Sequence, residues 1–146
     1  MKEEDRPLEE VYFFWMDRAM KAQRKATNKL FKKLGISLTT DQWIILKRLD
    51  EKENQSQREL AAAVSKDPAS ITRSLDLLEN DGLIERRSAD RRSFTVHLTK
   101  KGSGLVARVI PEAVKYREMG IRNVTEDEMK VFRKVLNAIY KNFEEA

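Results

Sequence analysis

Between positions 86 and 92 the chain sets Arg86, Arg87, Arg91 and Arg92 around a lone acid, Asp90. A guanidinium donates paired hydrogen bonds to a phosphate or to the O6 and N7 edge of guanine, and on a narrow projecting turn it enters a groove where negative potential is concentrated. Taken alone, such a turn reads equally well as a solvated hairpin tip. A second group stands upstream, where Pro68, Ala69, Ser70, Thr72 and Arg73 follow Asp67. Arg73 has the fork for guanine, the Ser70 and Thr72 hydroxyls can bond bases or phosphates, and the Ala69 methyl can meet a thymine methyl.

Other chemistries find little material. The chain has one histidine and no cysteine, which excludes structural disulfides and thiolate metal sites. His97 falls on the strand face opposite Phe94 and Val96 and reads as a surface residue, with no second ligand near it for a metal. Gly102-Ser103-Gly104 lacks the spacing and the lysine of a phosphate loop and is better explained as a helix start. No acid–base pair or nucleophile converges, so neither catalysis, nor a cofactor, nor a metal is expected.

The elements that carry the two polar groups follow from periodicity and capping. Leu8, Val11, Tyr12, Trp15, Ala19, Ala22, Ala26 and Leu30 fall at steps of three and four, so a first helix is expected from about Leu8 to Lys33. At 1.5 Å per residue it would be roughly 38 Å long, more than one small core can cover. Gly35 ends it. Thr39 with Gln42, and Ser56 with Glu59, are capping boxes that open a second and a short third helix. Asp67-Pro68 opens a fourth, buried through Ile71, Leu75 and Leu78 and stopped at Asn80-Asp81-Gly82.

After Gly82 the period drops to two, and the run from Leu83 to Leu98 reads as a β-hairpin across the polar turn at positions 88–91. Thr99 can cap a fifth helix with a wide apolar stripe through Leu105, Val106, Val109 and Ile110, in which Pro111 should introduce a bend. Thr125 with Glu128 opens a sixth, strongly amphipathic helix through Phe132, Leu136 and Ile139. Residues 55–99 thus spell helix, tight turn, helix, strand, basic turn, strand. In such a unit the second helix lies in the major groove, led by its N-terminal residues. The candidate duplex-contacting set is Ser56, Gln57, Pro68, Ala69, Ser70, Thr72, Arg73, Asp90, Arg91 and Arg92.

Composition agrees without deciding the matter. The 146 residues carry 29 Lys and Arg against 24 Asp and Glu, a formal charge of +5, and 40% hydrophobic residues. Within 55–99 acids and bases cancel, so distribution rather than net charge must attract a polyanion. No apolar run approaches the roughly 18 residues of a membrane span, and the acidic start Met1 to Asp5 does not resemble a signal peptide. The expected location is cytoplasmic, with no membrane partner.

Glu59-Leu60-Ala61, Ser70-Ile71-Thr72-Arg73, the run from Leu78 to Arg86, Asp90-Arg91-Arg92 and Leu98-Thr99-Lys100-Lys101-Gly102 together resemble the MarR family of transcriptional regulators. The resemblance implies a winged helix-turn-helix at 37–99, within a mainly α fold bearing a small β-hairpin wing. It also implies a helical dimerisation region built from both termini, 1–36 and 100–146. Arg92 is then implied as the minor-groove reader and Asp90 as its positioning partner. Only Ser88 and Ala89 separate Arg87 from Asp90, so the wing is a residue or two shorter than is usual in the family.

The expected function is that of a homodimeric regulator, in the first instance a repressor, on pseudo-palindromic double-stranded DNA. Leu8, Val11, Val109, Phe132, Leu136 and Ile139 are the expected dimer contacts. Tyr12, Trp15 and Trp43 are candidates for an effector pocket taking a small aromatic or phenolic molecule, although core or dimer packing explains them as well. The rival reading is a winged-helix adaptor that binds protein and no DNA.

Overall fold

The computed structural model describes residues 5–88 and 90–146. After a 3-10 turn at Leu8–Glu10 come α1 (Tyr12–Lys33), α2 (Thr40–Glu51), β1 (Gln55–Ser56), α3 (Gln57–Ala63), α4 (Pro68–Asn80), β2 (Ile84–Ser88), β3 (Phe94–Leu98), α5 (Lys100–Gly120) and α6 (Glu126–Glu144). The architecture is mainly α with one small antiparallel sheet, as the periodicities imply.

The first helix is shorter than expected. Pro7 starts a separate 3-10 turn, Val11 is extended at φ −90° and ψ 117°, and α1 begins only at Tyr12. The Trp15 indole donates to the Glu9 carbonyl at 2.7 Å, which holds this turn against the start of the helix. Elsewhere the caps form where the sequence places them. Thr39 and Gln42 exchange both bonds of their box, as do Thr125 and Glu128. Ser56 Oγ accepts from the Glu59 amide at 3.0 Å, but the return bond from the Glu59 carboxylate that would complete the expected box is not made, and Ser56 is at the same time the last residue of β1. α5 runs as one element through Pro111.

The chain divides into two compact units, the first extending to Ala113 and the second running Val114–Ala146. The core of the first gathers Phe31 from α1, Ile45 and Leu46 from α2, Leu60 from α3, Ile71, Leu75 and Leu78 from α4, Val96 from β3, and Val106 and Val109 from α5. Val109, expected at a dimer contact, has no exposed surface and belongs to this core. The stripe on α5 is apolar because the chain's own winged helix covers it. In the second unit α6 has no buried residue, and Val131, Phe132, Val135 and Tyr140 are all exposed.

The sheet has the order β1-β3-β2. β2 and β3 form the hairpin, with Ile84 opposite Leu98 and Ser88 opposite Phe94. The third strand is unexpected: β1 is only two residues long, and it pairs Gln55 with Val96 and Ser56 with Thr95. Its effect is to fasten the start of α3 to the hairpin.

Candidate nucleic-acid interface

The turn between α3 and α4 is set by backbone bonds. Lys66 N donates to Ala61 O at 2.9 Å and Ser65 N to Ala62 O at 3.2 Å, with Ser65 left-handed at φ 54°. This end motif reverses the chain within a few residues and delivers Asp67 as the N-cap of α4. Asp67 accepts from the Ser70 amide at 2.9 Å and the Ser70 hydroxyl at 2.7 Å, and the Ser70 amide in particular holds its carboxyl below the usual carboxylate range. Pro68 occupies the first helical position.

Ile71, Leu75 and Leu78 turn one face of α4 into the core, so Pro68, Ala69 and Arg73 are exposed on the other. Thr72 is more committed than its residue type suggests. Its hydroxyl donates to Pro68 O at 2.8 Å and accepts from Gln57 Nε2 at 2.8 Å. Gln57 and Thr72, both candidate duplex contacts, thus satisfy each other and lock α3 to α4. Arg73 rests on Ser70 Oγ at 3.3 Å, with its guanidinium otherwise presented to solvent.

The four hairpin arginines fall into two kinds. Arg86 points back at α4, where it meets Asp76 at 2.5 Å with its side chain only 20% exposed. Arg87 pairs with Glu85 on its own strand. Arg91 and Arg92 are exposed and have no ion pair among the described residues, so the free positive charge sits at the tip. Asp90 organises that tip through the backbone: its Oδ1 accepts from Arg92 N at 2.8 Å and Ser93 N at 3.0 Å, and Ser88 Oγ donates to its carbonyl at 2.9 Å. The Arg92 amide is the main reason the Asp90 carboxyl lies below its ordinary range. Ala89 lies outside the described residues.

The aromatic trio does not share a cavity within the chain. Trp43 packs edge-on against Phe31 with centroids 6.4 Å apart. Trp15 stands sixteen residues from Phe31, about 24 Å along α1 at the rise of an α-helix. There Arg18 lies over its ring at 5.2 Å, and Tyr12 is 66% exposed. A shallow hollow of about 650 Å³ does lie at the end of α1, but Phe31, Ile36, Leu38, Gln42 and Leu77 line it and none of the three does.

Residues 38–94 match the model of the MarR family. Over those residues the chain is similar to the MarR family. The structural comparisons extend the likeness to the flanking helices. A MarR family transcriptional regulator from Silicibacter pomeroyi is 27% identical with a TM-score of 0.76, over 93% of this chain and 92% of that one. AbsC, a MarR family transcriptional regulator from Streptomyces coelicolor, superposes with a TM-score of 0.86 over 99% of this chain and all of its own, at 20% identity. BpsR of Bordetella bronchiseptica, whose DNA binding is regulated by 6-hydroxynicotinic acid, gives 0.79 over 94% and 99% at 19% identity.

The contacts that the sequence does not reveal are those between residues distant along the chain. Glu79 accepts the Arg86 amide at 3.0 Å, and with Asp76 it ties the wing to α4. Gly102 closes the match at Leu98–Gly102 for a steric reason: a Cβ there would lie 2.0 Å from Leu83 O. Around it, Thr99 Oγ1 donates to Gly82 O at 2.6 Å and accepts from Gly102 N at 3.0 Å, so α5 starts pressed against the entry to β2.

Proposed function

We propose that this chain is a sequence-specific, duplex-DNA-binding transcriptional regulator of the MarR type. The observation that carries the reading is the pairing of an exposed, capped α4 N-terminus with a hairpin tip whose Arg91 and Arg92 are the hairpin arginines without ion pairs among the described residues. α4 enters the major groove through Ala69, Ser70 and Arg73, while Arg92 reads the adjacent minor groove with its backbone fixed by Asp90. Gln57 and Thr72 hold the two helices rigid beneath the contact.

The protein works as a cytoplasmic homodimer on a pseudo-palindromic site, with recognition helices about 34 to 36 Å apart. The exposed apolar residues of α6 support self-association, because an amphipathic helix needs a second surface to bury its stripe. The dimer represses, and a small molecule relieves it. The regulation of BpsR by 6-hydroxynicotinic acid supports that last element by analogy.

The test is selection of bound fragments from random duplex, followed by fluorescence anisotropy on the selected and a scrambled site. Replacing Arg92 or Arg73 by Ala should weaken the selected site by about 5- to 150-fold and compress its advantage over the scrambled one. Equal affinity of wild type for both duplexes would remove the claim of specificity, and no salt-dependent binding to either would leave the adaptor reading in its place.

A further inference from the structure

Positions 18–33 of α1 hold Arg18, Lys21, Arg24, Lys25, Lys29, Lys32 and Lys33 and no acid. Spacings of three and four put Lys21, Lys25, Asn28 and Lys32 in one row with Arg24 and Lys29 beside it, while Leu30 and Phe31 turn into the core. These six side chains border a shallow groove of about 450 Å³. Like charges four residues apart destabilise a helix, so the row works against the chain that carries it. Little is done to relieve it: Asp17 reaches Lys21 at 2.6 Å and Asp41 reaches Arg24 at 3.3 Å. Lys25, Lys29 and Lys32 have no ion pair among the described residues.

The row is joined to the helix-turn-helix. The second oxygen of Asp41 takes Lys66 Nζ at 3.0 Å, and Lys66 directly precedes the Asp67 cap of α4. Two ion pairs through one carboxylate therefore connect Arg24 with the turn that delivers the recognition helix. From Lys21 to Lys32 the row spans about 17 Å, the rise of about five base pairs. A surface whose basic side chains outnumber the two acids paired with it selects a polyanion, and continuity with this turn selects the duplex proposed to bind there.

We propose that this face of α1 contacts phosphates of DNA flanking the segment read by α4 and the wing. The proposal rests on the DNA-binding reading and extends its footprint. Lysine heads act as point charges and read no bases, so the face adds affinity and salt dependence without sequence preference.

The test compares wild type with Lys25→Gln/Lys29→Gln/Lys32→Gln, whose exposed glutamines suit a helix. Affinity is measured from 50 to 200 mM salt on the selected site, both within a long duplex and trimmed of its flanks. Loss of three phosphate contacts lowers the slope of log K against log salt by about 2.7, so the variant's affinity falls about 40-fold less over that range. The difference should vanish on the trimmed duplex, and the preference for selected over scrambled sequence should stay intact. Arg92→Ala is the contrasting variant, reducing that preference. An unchanged slope on the long duplex overturns the proposal while leaving the regulator reading in place. Wild type that binds no duplex overturns both.

Discussion

Arg86 of β2 meets Asp76 of α4 at 2.5 Å, and one turn along the same helix Glu79 accepts the Arg86 amide at 3.0 Å. The wing is thereby fixed to the recognition helix at one edge of the sheet, while β1 fixes it to α3 at the other. Asp76 is 59% exposed, so the pair is partly screened by solvent and is worth about 1 kcal/mol. Asp76→Asn should therefore lower the melting temperature by only about 2 to 4 °C. Its larger effect should be on duplex affinity, since a loosened hairpin presents Arg92 in many orientations. Calorimetry beside anisotropy separates the two. A variant that loses stability but keeps its affinity would show that the pair does not position the wing.

The two glycines at the start of α5 should respond in opposite directions to the same substitution. A methyl at Gly102 meets Leu83 O at 2.0 Å, a backbone atom that cannot swing away. At Gly104 nothing lies within 4 Å. Gly104→Ala should stabilise by about 0.5–1 kcal/mol through helix propensity. Gly102→Ala should destabilise by about 1–3 kcal/mol through overpacking. Urea denaturation of both variants checks this, and like-signed shifts would contradict the close approach of α5 to the hairpin.

Acid should loosen the reading head before a neutralised variant feels it. Asp67 is held below its usual 3.8 chiefly by the Ser70 amide, and Asp41 chiefly by its hydrogen bond from Lys66. Since folding favours the charged form of each, their contribution is present in full above the unfolded value. It is lost as pH falls through the lower folded value. Unfolding measured from pH 5 down to 2 should thus show stability declining below about pH 4. In Asp41→Asn the decline should be shallower from a lower plateau. Asp67→Ala should lower stability at neutral pH through loss of the cap, and Asp67→Asn, which still caps, should lower it much less.

What the sequence could and could not reveal divides by the distance over which an interaction acts. Thr39 with Gln42, Asp67 with Pro68 and Thr125 with Glu128 declare helix starts because cap and partner lie within one turn. β1 is too short for any period to register, and it exists only because β3 lies beside it. Arg86 looks like one more cation of the wing until the fold brings up Asp76, ten residues earlier on another element. The apolar stripe of α5 announces that Val109 is covered but not by what, and the answer is the chain's own core. Tyr12, Trp15 and Trp43 share aromatic character, yet the length of α1 separates the first two from the third.

Phe132 and Val135 decide the last prediction. They are 49% and 47% exposed on a helix with no buried residue, although its apolar side chains recur at helical spacing. Burying such a stripe contributes roughly 25 cal/mol per Å² of apolar surface, a strong drive toward self-association. Phe132→Glu with Val135→Lys places charges in that contact at no cost to the first unit's core, to which neither residue contributes. Sedimentation should then show a monomer whose circular dichroism keeps the signature of the folded winged helix. Its affinity for a two-fold site should fall to that for a single half-site, because the two recognition helices no longer bind as a linked pair. A variant that still sediments as wild type would place the self-association surface elsewhere on the chain.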